Sequence, residues 1–205
     1  MVLPQSPSQS QSQLFGDAPI ASSINGLVYQ PEFLSAAEEA ALIGVIATLP
    51  LQAAQYKQYV ARRRVMSFGD SYDFDTHRLL PTAALDDRLH GLRDRVADWL
   101  HVAPAALVHA LVAEYAPGTP LGWHRDVPDF ETIVGVSLGG HAVLRFRPFP
   151  PEAGARKLVQ LDAAPRSIYQ LAGDARWGWQ HSVAPTKERR WSITFRTARR
   201  GPPGA

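Results

Sequence analysis

The stretch Leu107-Val108-His109-Ala110-Leu111-Val112-Ala113-Glu114-Tyr115, then Ala116-Pro117-Gly118-Thr119-Pro120, then His124-Arg125-Asp126, decides how the chain is read. Its first part is a short apolar run closed by a Pro/Gly turn, which reads as a β-strand. The same texture recurs at Thr132–Leu138, Ala142–Phe146, Arg156–Leu161, Ser167–Leu171 and Trp191–Thr197. Short strands at this spacing predict a sandwich, barrel or jelly roll rather than alternating βαβ units. Upstream of Pro104 the period is helical. Ser35 is placed as an N-cap with Glu38 at the capping-box position, ahead of Ala41, Leu42, Val45, Ile46 and Leu49, and Pro50 ends the helix. A second helix is predicted from about Thr82 to His101, with Leu85, Leu89, Leu92, Val96, Trp99 and Leu100 on one side. The expected class is therefore α+β, with helices and a few early strands preceding a β-rich half.

The chain of 205 residues suits one domain with a sizeable core. Residues 1–24 are rich in Gln, Ser and Pro and read as a disordered tail, because they bury too little apolar surface to offset ordering entropy. Residues 25–200 then form a single domain, and Gly201 to Ala205 read as a second short tail. Cysteine is absent, which excludes disulfides, thiolate metal sites and a cysteine nucleophile. Any transition metal must be held by histidine and carboxylate. The formal net charge of +2 announces no nucleic-acid partner by itself. No apolar run approaches the roughly 20 residues that span a bilayer, and no secretory signal is visible. A cytoplasmic setting is the expectation, with no membrane and no obligate protein partner.

In extended backbone, residues two apart point to the same side, so His124 and Asp126 project together while Arg125 faces away. An imidazole and a carboxylate converging in this way fill two positions of a facial triad for ferrous iron. The same pair is equally at home in a surface hydrogen bond, so a third ligand is needed. His181, in Trp179-Gln180-His181-Ser182-Val183, is the best candidate among seven histidines. His77, His90, His101, His109 and His141 lack a second ligand-type residue at matching spacing and read as structural or surface residues. Further on, Arg190, Ser192, Thr194 and Arg196 share one face of a strand, with Trp191, Ile193 and Phe195 on the other. Two guanidiniums beside small hydroxyls suit a compact dianion, because arginine binds carboxylates through two parallel hydrogen bonds. A solvated edge strand is the alternative.

The set Tyr115-Ala116-Pro117-Gly118, His124-Arg125-Asp126, Ser137-Leu138-Gly139, Trp179-Gln180-His181 and Arg190-x-Ser192-Ile193-Thr194-Phe195-Arg196 resembles the AlkB family of iron(II)/2-oxoglutarate-dependent dioxygenases. The resemblance covers roughly residues 107–198, in order and at matching spacing. It implies a double-stranded β-helix, or jelly-roll, core with N-terminal supporting helices and a substrate lid. It also implies Fe(II) on His124, Asp126 and His181, with 2-oxoglutarate and dioxygen as further cofactors. Arg190, helped by Tyr115 and Ser192, would hold the distal carboxylate of 2-oxoglutarate, and Arg196 would lie near its iron-chelating end. The family pattern carries Asn where this chain has Ala113 and Ser192, which puts cosubstrate affinity in question.

The implied reaction is oxidative demethylation of alkylated nucleobases in DNA or RNA, yielding succinate, carbon dioxide and formaldehyde. Arg62-Arg63-Arg64 would supply phosphate contacts, and Phe68, Tyr72 and Phe74 stacking surfaces for a flipped base. Three arginines are also the mark of a solvated face, and the aromatics of a core. After the His-x-Asp pair, Pro128 replaces an expected acid and leaves Asp129, with Arg176, Trp177 and Trp179 on the other wall. Three rivals stay open: a zinc hydrolase on the same ligands, a non-catalytic binding module, and the same oxygenase chemistry on a protein side chain.

Overall fold

The computed structural model describes residues 20–21, 23–56, 59–73, 78–81, 83–150 and 158–199. Most of the expected tail lies outside these residues. Its boundary needs correction, because strand β1 (Ile20–Ala21) pairs with β2 (Leu27–Gln30) and Ile24 is buried in the apolar core. Helix α1 (Ala36–Thr48) begins as its sequence predicts. The Glu38 amide donates to Ser35 Oγ at 3.2 Å, and the Ser35 amide donates to Glu38 Oε2 at 2.7 Å. Strands β3 (Gln52–Tyr56), β4 (Tyr59–Asp73) and β5 (Arg78–Pro81) follow.

The second helix is shorter than its periodicity suggests. A 3₁₀ turn over Asp87–Leu89 leads into α2 (His90–Leu100), and Ala83–Asp86 are not helical. Asp86 decides that start, with its carboxylate accepting the Arg88 amide at 3.0 Å and so capping the turn from outside the helix. His101, in the left-handed conformation at φ 56°, closes the other end.

The β-rich half contains β6 (Leu107–Tyr115), β7 (Leu121–His124), β8 (Phe130–Gly139), β9 (Ala142–Pro148), β10 (Val159–Ala163) and β11 (Ile168–Leu171). A short helix α3 (Gly173–Trp177), β12 (Trp179–Val183) and β13 (Arg190–Ala198) complete it. Of the strand expected at Arg156–Leu161, the described part begins at Val159. Two antiparallel sheets result. The larger has the order β1-β2-β11-β8-β13-β6-β4-β3, with β5 on β4, and the smaller β10-β9-β12-β7. This is the double-stranded β-helix expected above, with β4 outrunning β6 so that its second half pairs with β5.

Two apolar layers hold it together. Leu42 and Ile46 of α1 and Leu92 and Val96 of α2 cover one face of the larger sheet, against Val112, Val136, Ile193 and Phe195. Phe130, Ile133, Leu144, Phe146 and Val183 join the inner faces of the two sheets. Fully burying one such side chain is worth about 1.5–3 kcal/mol. The polar row of β13 is therefore turned into the barrel, between the sheets. Among the described residues no helix is long and apolar enough to cross a membrane.

Candidate metal centre and cosubstrate pocket

His124 ends β7 and His181 lies opposite it on β12, as register partners. Their ring centroids are 4.2 Å apart. Asp126, just beyond the strand, brings Oδ2 to 3.6 Å from His181 Nε2. Ligand atoms of His124, Asp126 and His181 all lie within 4.8 Å of one another, so one ion could touch all three. His124 Nδ1 donates to the Gly122 carbonyl at 2.8 Å, which fixes the tautomer and leaves Nε2 as the lone-pair donor. Arg125 turns away as alternation predicts, with its guanidinium 3.9 Å from the Phe149 ring centroid.

The electrostatics prepare these groups for a cation. Burial pushes the His181 imidazole down to about 3, with the neighbouring His124 adding to the effect. Burial likewise lowers His124. For Asp126, burial alone would raise the carboxyl, but the charges of Arg196, His181 and His124 outweigh it and hold the carboxyl well below the usual range. Two neutral imidazoles and one carboxylate at neutral pH are the donor set that ferrous iron takes.

Arg196 reaches the site through Asp126 and His109. Nε and Nη2 donate to Asp126 Oδ1 at 3.2 and 2.7 Å, and Nη1 donates to His109 Nδ1 at 3.0 Å. Arg196 thus grips the carboxylate of the candidate ligand Asp126, leaving Oδ2 for a metal. His109, expected to be merely structural, is the acceptor behind that grip. Burial, then the Arg196 charge, hold its imidazole down at about 3, so it stays neutral.

Register explains how the pocket floor assembles. Arg190 stands between Tyr115 and Gly139, Ser192 between Ala113 and Ser137, and Thr194 between Leu111 and Gly135. Arg190 is 1% exposed, donates through Nε to Ser137 Oγ at 3.3 Å, and lies 5.1 Å from the Tyr115 ring centroid. Its Nη2 is buried with no hydrogen-bond partner. A buried cation with an unanswered donor, beside Tyr115, Ser192 and Ser137, fits a carboxylate end. Tyr169 joins this pocket through a gap that only glycine leaves, since a Cβ at Gly135 would sit 2.3 Å from Tyr169 Cζ. Its hydroxyl, raised mainly by burial, lies in the field of Arg190, Tyr115, Asp126 and Arg196.

Several expected substrate contacts fall elsewhere. Phe68 is core, packed with the helices because its side of β4 faces away from the barrel. Arg176 is buried beneath the loop after the metal ligands, donating to the carbonyls of Asp126, Val127 and Phe130 at 3.2, 2.6 and 3.0 Å. It clamps that loop through Nε and Nη2. Asp129 is half-buried in the turn before β8, where its carbonyl accepts the Arg199 amide at 2.8 Å. Tyr72 lies on β4 opposite Leu79, and Phe74 lies outside the described residues. Alternation splits the arginine triplet: Arg64 faces out and pairs with Glu114 at 2.8 Å, while Arg63 is near enough for its charge to act on His124. Trp177 donates to Glu131 at 3.1 Å, and Trp179 packs against the inner core.

Sequence reasoning passed over His109, Ser137 and Tyr169. His109 carried a signal, because residues 109, 111, 113 and 115 share the face of Tyr115. The other two depend on which strands pair, which one strand's pattern does not reveal.

The model of the 2OG-Fe(II) oxygenase superfamily matches residues 26–196. An "Alkylated DNA repair protein ALKBH8 homolog" from Arabidopsis thaliana is 25% identical over 87% of this chain and 60% of its own length. An uncharacterised protein of Acanthamoeba polyphaga mimivirus is 35% identical over 42% of this chain and 46% of its own. The chain thus spans about half to three fifths of the curated relatives it matches. Among solved structures, OsALKBH1 superposes with a TM-score of 0.65 at 16% identity, covering 88% of this chain and 100% of that one. A prolyl hydroxylase from Trichoplax adhaerens, solved with a hypoxia inducible factor peptide, gives 0.58 at 15%, covering 85% and 84%. A Pseudomonas putida prolyl-4-hydroxylase gives 0.56 at 17%, covering 86% and 94%.

Proposed function

The chain belongs to the 2OG-Fe(II) oxygenase superfamily and is AlkB-like, and from that membership we propose that it demethylates alkylated nucleobases in DNA or RNA. Its cofactors are Fe(II), 2-oxoglutarate and dioxygen. The observation that carries the substrate reading is the likeness to an alkylated-DNA-repair homologue along 87% of the chain.

In this reading His124 Nε2, Asp126 Oδ2 and His181 hold the iron. Arg190 answers the distal carboxylate of 2-oxoglutarate with the Nη2 that has no protein partner, supported by Tyr115 and Ser192. Arg196 engages Asp126 Oδ1, keeping that carboxylate from closing on the metal through both oxygens. Arg176 keeps the loop from Asp126 to Phe130 in place. The chemistry supplied by the bound cofactors is hydroxylation of a C–H bond with release of succinate and carbon dioxide. On an N-methyl group the hydroxymethyl product then falls apart to formaldehyde.

A second reading has a specific observation behind it. Two prolyl hydroxylases share the fold at TM-scores of 0.58 and 0.56, so hydroxylation of a protein side chain uses the same core. The deciding experiment measures succinate and formaldehyde released from a methylated single-stranded oligonucleotide, with ferrous iron and 2-oxoglutarate, beside a His124→Ala variant. Formaldehyde matching succinate, and lost in the variant, is expected. Hydroxylation of proline-containing peptides with no formaldehyde from any methylated oligonucleotide would move the assignment to the second reading.

A further inference from the structure

The outer face of the smaller sheet carries cations that the proposed chemistry leaves unused. On β7 and β9, Trp123, Arg145 and Arg147 alternate with His124, Leu144 and Phe146, which face the barrel interior. The Arg147 and Arg145 guanidiniums lie 4.4 and 5.4 Å from the Trp123 ring centroid, reaching across β12. Arg145 Nε donates to Ser182 Oγ at 3.1 Å and Arg147 Nε to Gln180 Oε1 at 2.9 Å. Next along, Arg125 stacks on Phe149 and donates to the Trp177 carbonyl at 3.3 Å. Arg199 lies 4.6 Å from the Trp177 ring centroid.

Among the described residues the partners of these four arginines are neutral: a hydroxyl, an amide, a backbone carbonyl and aromatic faces. Among the described residues none of the four pairs with a carboxylate, whereas Arg64, Arg88, Arg93, Arg95, Arg166 and Arg189 each do. Of the acids near this band, Glu131 accepts from Trp177 Nε1 and Asp162, on the outer face of β10, pairs with His141. Stacking on a ring leaves the in-plane N–H donors of a guanidinium directed outward and already oriented. With a net formal charge of only +2 for the whole chain, so many uncompensated cations in one band are a local concentration of charge.

We propose that the outer face of the smaller sheet, with Arg125 just beyond β7 and Arg199 just beyond β13 of the larger sheet, is a track for the phosphate backbone of single-stranded nucleic acid, held by Arg125, Arg145, Arg147 and Arg199. The inference rests on the nucleobase reading above and adds where the strand runs. Position supports it, because β7 is the free edge of the sheet, with His124 on its inner face and Trp123 on its outer face. A backbone crossing the track arrives at the edge beside the metal ligands, from which one base can turn in. The surface also suits a polyanion better than a protein or a membrane. The core of a protein interface is depleted in charge and an amphipathic membrane contact needs an apolar face, whereas four guanidiniums lie along this band and Leu158 is the exposed large hydrophobic side chain among the described residues.

The test is fluorescence anisotropy of a labelled, unmethylated single-stranded 20-mer with the full chain, titrated at 50, 100 and 200 mM salt. Each phosphate contact on a single strand contributes about 0.7 to the salt slope. An Arg145→Gln/Arg147→Gln double variant is therefore expected to lose about 1.4 from the slope and to bind about 25-fold more weakly at 0.1 M salt. An Arg88→Gln/Arg93→Gln variant, which removes the same charge from other surfaces, keeps the wild-type slope. If both double variants bind alike, the track is wrong while the nucleobase reading stands. If the wild type binds no oligonucleotide at 50 mM salt but releases formaldehyde from a methylated nucleoside, the track again falls alone. If neither occurs, both fall. Displacement by poly-glutamate as effective as by unlabelled oligonucleotide would overturn the commitment to nucleic acid.

Discussion

Replacing Arg190 by methionine should make the protein more stable and unable to use its cosubstrate. Arg190 is 1% exposed, and its protein contacts are weak for a buried cation. They are one 3.3 Å hydrogen bond to Ser137, a ring contact at 5.1 Å, and an Nη2 with no partner. An ion so placed costs several kcal/mol in desolvation, and exchanging buried ionic groups for apolar ones of similar volume is neutral or stabilising by about 1–4 kcal/mol. At about 2 kcal/mol, and about 2–4 °C per kcal/mol for a chain of this length, Arg190→Met should melt about 4–8 °C higher without ligand. The cosubstrate effect has the opposite sign. Losing one member of a buried charge pair costs about 2–5 kcal/mol, or about 30- to 5,000-fold in 2-oxoglutarate affinity. Thermal melts with Mn(II) in place of iron read both quantities. In the wild type, 2-oxoglutarate at 100 times its Kd adds about 2.7 kcal/mol of stability, and the variant should show at most about 0.9 kcal/mol of gain at the same concentration. A variant that melts lower than the wild type and still gains as much from 2-oxoglutarate would refute the reasoning.

His109→Leu removes the acceptor behind Arg196, and an orphaned buried donor costs about 1–3 kcal/mol. Co(II) affinity, followed by absorbance, should fall about 10- to 100-fold, whereas His109→Asn, which keeps an acceptor, should restore most of it. Equal behaviour of the two variants would deny His109 that role. Metal-free protein should lose stability below neutral pH. His109 and His181, each pushed to about 3, remain neutral while the unfolded chain takes up protons as pH falls below about 6.5. Their contribution is complete above that pH and declines toward 3, by up to about 1.4 kcal/mol per pH unit for each histidine. Urea melts between pH 7 and 4.5 check this, and His109→Leu should flatten the slope by one histidine's share. Ala113→Asn, placing an amide next to Ser192, should tighten 2-oxoglutarate by about 1 kcal/mol, roughly fivefold in KM, and a raised KM would show that the pocket has no room for it.

How much of this was legible depended on the range of each signal. The candidate metal donors were nameable because His124 and Asp126 are local neighbours and His181 sits in a recognisable motif. Helix α1 was readable from its cap, since Ser35 and Glu38 interact across three residues. The second helix was overextended because Leu85 continues its apolar period, while the signal that sets the later start, the Asp86 carboxylate capping the Arg88 amide two residues on, is a single local residue that the period outweighed. Phe68 and Arg176 were assigned to the substrate because aromatic and cationic side chains near a site suggest contact. Their actual partners, a helix layer and three carbonyls, come from distant segments. Arg62-Arg63-Arg64 looked like one basic patch in sequence, yet a strand sends neighbours to opposite faces, so consecutive arginines are poorly suited to making one.

The same two-residue period that identifies β13 as a strand also writes the pocket. Arg190, Ser192, Thr194 and Arg196 form one face, and Trp191, Ile193 and Phe195 the other. Neither row has chemical meaning until β6 and β8 fix the register that sets Arg190 beside Tyr115 and Arg196 beside His109. A slip of one residue would turn both rows over, driving two arginines into the helix layer and exposing the apolar row to the cavity. The helix layer enforces the register, because Ile193 and Phe195 are almost wholly buried against it. The stability of the outer core is thus what holds a costly, half-satisfied cation such as Arg190 in the barrel, where a carboxylate can reach it.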